Sequence, residues 1–162
     1  MTPLDDARVR ASFANCSQGE AKRLRLPVGL SASPWDELDY LGWRDPQAPG
    51  RAYLVAERAG APVGLVLRVP ISGLGARPSM CSLCLTVPEA GVSLMVAPKA
   101  GRAGQRGHSV GTYICADLAC SRAVRGKAPA GRVVQETLTV EQKVERLVAN
   151  LDAFVARALR GG

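Results

Sequence analysis

The chain has 162 residues, 47% hydrophobic and only 4% aromatic, with a formal net charge of +7. That length and apolar content suit one domain with a core built mostly from Ala, Val and Leu. Apolar runs such as 64–67 and 92–97 are too short to cross a bilayer, and residues 1–16 hold acidic and basic side chains in place of a secretory apolar region.

Residues 4–14 read as a short helix. Ser17 with Glu20 three positions on has a capping-box pattern ahead of 21–26, and Pro27 ends that run. Ser33-Pro34-Trp35 reads as the N-cap and first turn of another short helix, with Leu38 and Leu41 on its apolar stripe and Gly42 at its C′ position. Residues 1–45 are therefore expected to be a short helical segment, closed by a loop from Arg44-Asp45-Pro46 to Pro49-Gly50. Residues 52–57 and 63–69, β-branched and aliphatic around Ala59-Gly60, have a hairpin pattern. After a Gly- and Pro-containing loop at 71–79, residues 92–97 and 110–115 read as a second strand pair. Their connection, 98–109, is rich in Gly, Lys and Arg and reads as a loop. A short helix at 120–125 and a loop at 126–131 follow. The final helix, 139–160, has Thr139 as N-cap and Gln142 completing a capping box. Val140, Val144, Leu147, Leu151, Phe154 and Ala158 recur along one of its faces. A stripe of under three heptads favours packing on the sheet over a coiled-coil partner. The expected class is α+β: a small antiparallel sheet, short N-terminal helices and a long C-terminal helix, all within one domain over 1–162.

Two cysteine pairs sit inside that frame. Cys81-Ser82-Leu83-Cys84 is a C-x2-C pair and Cys115 to Cys120 a C-x4-C pair, with 30 residues between Cys84 and Cys115. In a reducing cytoplasm, the expected setting, clustered cysteines read as metal ligands before disulfides. Four thiolates suit a closed, tetrahedral, structural Zn²⁺ site. The order knuckle, β-hairpin, helix over 80–126 is that of a treble clef. A disulfide or redox pair is the competing reading, but it lacks a βαβ context and leaves the second pair unexplained. Catalytic zinc would need an open ligand position and a nearby general base. Cys16 stands apart and reads as a small buried apolar side chain. His108 is either a surface or partner-contact residue or a fifth candidate ligand. One histidine and no nucleophile–base spacing give no basis for an enzyme, and the Gly-rich run at 101–107 lacks the phosphate-loop pattern.

The charge is concentrated. Between residues 92 and 132 seven cations (Lys99, Arg102, Arg106, Arg122, Arg125, Lys127 and Arg132) face only Asp117, a surplus of six. The plain reading is a solvated basic surface; the functional one is an anionic partner such as RNA, a ribosomal surface or an acidic protein face.

The runs Met80–Cys84, Val92–Gly101 and Val110–Ser121 resemble the treble-clef zinc-finger domain of the elongation factor G-binding proteins, the fusidic acid resistance type. The resemblance is strongest over 52–125 and extends to 13–23, 35–51 and the final helix. It implies that Cys81, Cys84, Cys115 and Cys120 hold zinc and that the partner is elongation factor G. It also implies a part in releasing the drug-stalled factor from the ribosome, while the richness in Ala, Arg, Gly and Val reads as a GC-rich bacterial source. The resistance proteins carry an N-terminal helical bundle as well, and the residues before the first expected strand are expected to leave no room for a full one. Lys99, Arg102, Arg106, His108, Arg122 and Arg125 are the expected contacts. A direct RNA- or ribosome-binding module is the alternative, weakened by Tyr113 standing alone as an aromatic in that segment. A monomer with no membrane contact and no small-molecule substrate is expected.

Overall fold

The computed structural model describes residues 1–71 and 77–160, so the middle of the expected 71–79 loop and the last two residues lie outside it. Helix α1 (Asp6–Ala11) is shorter than its pattern because Asp5 caps it, accepting from the Arg8 amide at 2.8 Å. Helix α2 (Gln18–Arg23) opens on the expected capping box of Ser17 and Glu20.

The next expected helix does not form. Single 3₁₀ turns at Leu30–Ala32 and Trp35–Glu37 give way to extended backbone at Leu38, and strand β1 (Tyr40–Arg44) follows. The apolar residues there serve two faces. Leu41 and Trp43 enter one core and Tyr40 the other, which suits period two and not a helical stripe. Gly42 is a point of close approach, not a helix stop. A Cβ on it would lie 2.7 Å from Tyr40 Cε2 and 2.9 Å from Leu118 Cβ.

The expected hairpin is β2 (Arg51–Arg58) and β3 (Ala61–Arg68), with Ala59 and Gly60 at positive φ in the turn. Then come β4 (Val87–Pro88), β5 (Val92–Pro98), α3 (Gly101–Gln105), β6 (Ser109–Cys115), α4 (Cys120–Val124), β7 (Ala130–Arg132) and α5 (Val140–Leu159). Two segments expected as loops thus carry structure: α3 lies within 98–109, and β7 closes a small ladder with β4. Thr139 and Gln142 form the predicted box at the start of α5.

The main sheet runs β1-β2-β3-β5-β6, antiparallel throughout. Its two ladders meet at one register pair, Arg68 with Val96. Where β5 diverges from the rest of β3, residues 12–15 run alongside β3 instead. Phe13 bridges Gly64 in parallel, with Ala14 N donating to Gly64 O at 3.0 Å and Gly64 N to Ser12 O at 2.8 Å. The Asn15 side chain completes the seam. Its Oδ1 accepts from Val66 N, and its Nδ2 donates to Val66 O and to Pro98 O, each at 3.0 Å.

Both faces of β2 are covered, so 52–56 are buried without a break. On one face Tyr53, Val55, Leu41 and Trp43 pack with Leu4, Val9, Leu24, Leu30 and Trp35 from the N-terminal segment. On the other, Ala52, Leu54, Leu65, Leu67 and Met95 meet Leu147, Leu151, Phe154, Val155 and Ala158 of α5. Val155 joins this buried set, while Val140, at the head of the expected stripe, is exposed. No helix among the described residues is long and apolar enough to cross a membrane.

Candidate metal centre

Cys81 and Cys84 come from the turn before β4. Cys115 ends β6, and Cys120 begins α4. A positive-φ leucine follows or interrupts each pair: Leu85 at 56° and Leu118 at 59°. Left-handed backbone costs a residue with a Cβ roughly 1–2 kcal/mol. It is held here by tight turns, Leu85 N to Cys81 O and Leu118 N to Cys115 O, both 2.9 Å.

These turns aim four buried sulfurs at one point, all within 4.8 Å of one another. Cys81 and Cys120 Sγ stand 3.7 Å apart, and Cys84 and Cys115 Sγ 3.5 Å. Sulfurs about 2.3 Å from one tetrahedral Zn²⁺ are about 3.8 Å apart, whereas a disulfide needs about 2.05 Å. The spacing fits zinc and excludes the disulfide reading.

Electrostatics agree. Hydrogen bonds from Cys115 and Cys120 pull the Cys81 thiol below its ordinary value, and those from Cys115, Cys120 and Cys81 pull Cys84 down further. Bonds with Cys115, Cys81 and Cys84, together with burial, push Cys120 up. For Cys115 the bond to Cys120 acts downward, yet Cys81, Cys84 and burial outweigh it and the thiol rises. Successive buried thiolates oppose one another, and a dication at their centre removes the conflict. Around them Leu83 N donates to Cys81 Sγ at 3.4 Å, and Thr86 Oγ1 lies 3.1 Å from Cys84 Sγ. Such outer contacts orient metal ligands.

Strand β1 braces the second pair. Tyr40 OH, fully buried, donates to Leu118 O at 2.8 Å, and Asp39 N donates to Ser121 Oγ at 3.0 Å. The Asp39 carboxylate takes a two-pronged bond from Arg125 at 2.7 and 2.9 Å, their side chains only 7% and 19% exposed. Lys127 pairs with Glu37. No spacing in the sequence signals this brace, because its partners are 78 to 90 positions apart.

The expected contact residues separate into two groups. Lys99, Arg102, Arg106 and His108 lie in the turn at one end of the β5–β6 hairpin, with Arg102, Arg106 and His108 exposed. Arg122 and Arg125 lie beside the metal at the other end, roughly 20 Å away along a seven-residue strand. Arg125 is committed to Asp39. His108 sits at the far end and is not a ligand. The basic turn is held by its own backbone and by α5. Lys99 N donates to His108 O, His108 N to Ala103 O, and Ala100 N to Ala158 O, at 2.8 to 3.0 Å. Gly104 is required there, since a Cβ would lie 1.8 Å from Lys99 O. Cys16 is half-buried against the N-terminal core, its thiol pushed up by burial and by Glu20.

Comparison with known proteins agrees with this geometry. A family model described as FBP C-terminal treble-clef zinc-finger matches residues 8–158. No curated protein matches the chain. Among solved structures, one titled "Structure of the fusidic acid resistance protein FusC" aligns with a TM-score of 0.55 at 18% identity. The alignment covers 88% of this chain and 54% of that one, so the chain spans about half the length of the structure it matches. At that identity the likeness shows the fold.

Proposed function

Because the chain belongs to the FBP C-terminal treble-clef zinc-finger family, we propose that it is a zinc-stabilised cytoplasmic binding protein, not an enzyme, whose partner is elongation factor G. One observation carries most of this reading. A turn with three exposed basic or titratable side chains (Arg102, Arg106 and His108) is locked in shape by its own backbone bonds before any partner arrives. A rigid, charged turn loses little entropy on docking and suits an acidic protein face. A closed four-thiolate site leaves no position for substrate, in keeping with a binding role. The chain acts as a monomer. Modulation of the factor's release from the ribosome, and with it fusidic acid tolerance, is the proposed consequence of binding.

The test is calorimetric titration with purified elongation factor G. Reversing Arg102 and Arg106 to Glu should weaken binding about tenfold or more while zinc content and far-UV spectrum stay unchanged. No binding to the factor at low salt would sink the reading. Steeply salt-dependent binding to ribosomal RNA fragments in its place would favour direct RNA recognition.

A further inference from the structure

Where β5 diverges from β3, the seam filled by Asn15 leaves a cleft of about 490 Å³ between α2 and the turn containing α3. Arg51, Arg68 and Lys99 all line it, and among the described residues that line it Glu20 is the only acidic one. Glu20 already accepts from the Ser17 backbone and hydroxyl at 3.1 Å and stands 3.7 Å from Arg51. Those bonds from Ser17 hold its carboxyl below the ordinary value, so it stays charged. Among the described residues neither Arg68 nor Lys99 has a carboxylate within ion-pair distance.

The cleft therefore gathers three cations against one carboxylate, a surplus of two positive charges. We propose that it is an oxyanion site that seats a dianionic phosphate monoester. A phosphate monoester carries about −1.5 to −2 at neutral pH and matches that surplus, whereas one carboxylate or a backbone phosphodiester would leave a cation uncompensated. Arginine forks suit phosphate oxygens, and Lys99 adds a point charge. The Lys99 stem springs from the backbone-locked turn, and the floor is pinned by Asn15, so the walls are set before the anion enters. The site is separate from the exposed Arg102 and Arg106 and does not depend on the elongation-factor reading.

The experiment titrates the zinc-loaded protein with inorganic phosphate, and in parallel with chloride at matched ionic strength, following backbone amide shifts by NMR. Expected are saturable phosphate shifts at Asn15, Arg68, Lys99 and Gln105, with an affinity about tenfold weaker in Arg68→Gln. Lys99→Gln should give the same loss, and it serves if Arg68→Gln fails to fold. Adenosine monophosphate should compete for the same shifts, and a short RNA without a terminal phosphate should not. Shifts that never saturate, that chloride reproduces, or that are as large at Arg122 and Arg125, at the other end of the hairpin, would overturn the site. Tighter binding of the unphosphorylated RNA than of phosphate would overturn it too.

Discussion

Asp45 is buried at the end of β1, and burial alone would raise its pKa. Hydrogen bonds from Tyr53 OH at 2.7 Å and from the Gln47 and Ala48 amides at 2.9 and 3.1 Å outweigh that cost and hold the carboxyl below its ordinary value. In return, burial and the bond to Asp45 push the Tyr53 hydroxyl up to about 12. A carboxyl whose pKa is lower in the folded than in the unfolded chain adds stability that is complete above the unfolded value, about 3.9, and is lost as pH falls through the folded value. Asp45→Asn should therefore cost about 1–2 kcal/mol at pH 7. In urea titrations from pH 7 to pH 2, its gap from the parent protein should close below about pH 4. At the metal, Cys81→Ser or Cys120→Ser should remove bound zinc and most of the folded signal, since the site's binding energy is folding energy. A metal assay that finds no zinc in native protein would contradict the centre itself.

At the scale of elements, the brace between β1 and α4 separates two arginines that look alike in sequence. Arg125→Ala strands the Asp39 carboxylate in a nearly closed site and should cost about 3 kcal/mol. Arg122 is exposed and, among the described residues, donates only to Lys127 O, so Arg122→Ala should stay within about 0.5 kcal/mol. Equal losses on thermal unfolding would remove the brace from the account. The same elements show what local pattern can and cannot reveal. The capping boxes at Ser17 and Thr139, the β2–β3 hairpin and the four cysteines are short-range or strongly typed signals, and all of them hold. Strand β1 was hidden because Ser33, Pro34 and Gly42 each suit a helix boundary. What decides the matter is Leu118, far along the chain, pressed against Gly42. Helix α3 was hidden in a glycine-rich run whose Gly104 is demanded by a carbonyl five residues earlier. The cleft cations at 51, 68 and 99 are scattered in sequence, and only the sheet seam assembles them.

For the whole molecule, the metal centre is continuous with the main core. The four cysteines share one buried cluster with the sheet and with Leu147, Leu151 and Phe154 of α5. Zinc removal should thus be felt well beyond the finger. Treating the protein with a strong chelator should lower its melting temperature by roughly 10–20 °C, the equivalent of about 5 kcal/mol in a chain of this size. Calorimetry should show one cooperative transition in the zinc form. A chelated protein that melts unchanged would mean the site contributes nothing to stability.

The Asn15 seam sets an order of events during synthesis. The ribosome releases the amino-terminal residues first, yet Asn15 has no partner until Val66, 51 positions later, and Pro98, 83 positions later, have emerged. Asp39 waits longer still, for an arginine 86 positions on. The N-terminal segment can cover its apolar residues once the strands up to Val66 have emerged, but its polar anchors at Asn15 and Asp39 close only later. Contacts so distant along the chain slow folding and prolong exposure to aggregation. For a protein proposed to work beside the ribosome, its own birth is the stage at which it is most open to misfolding.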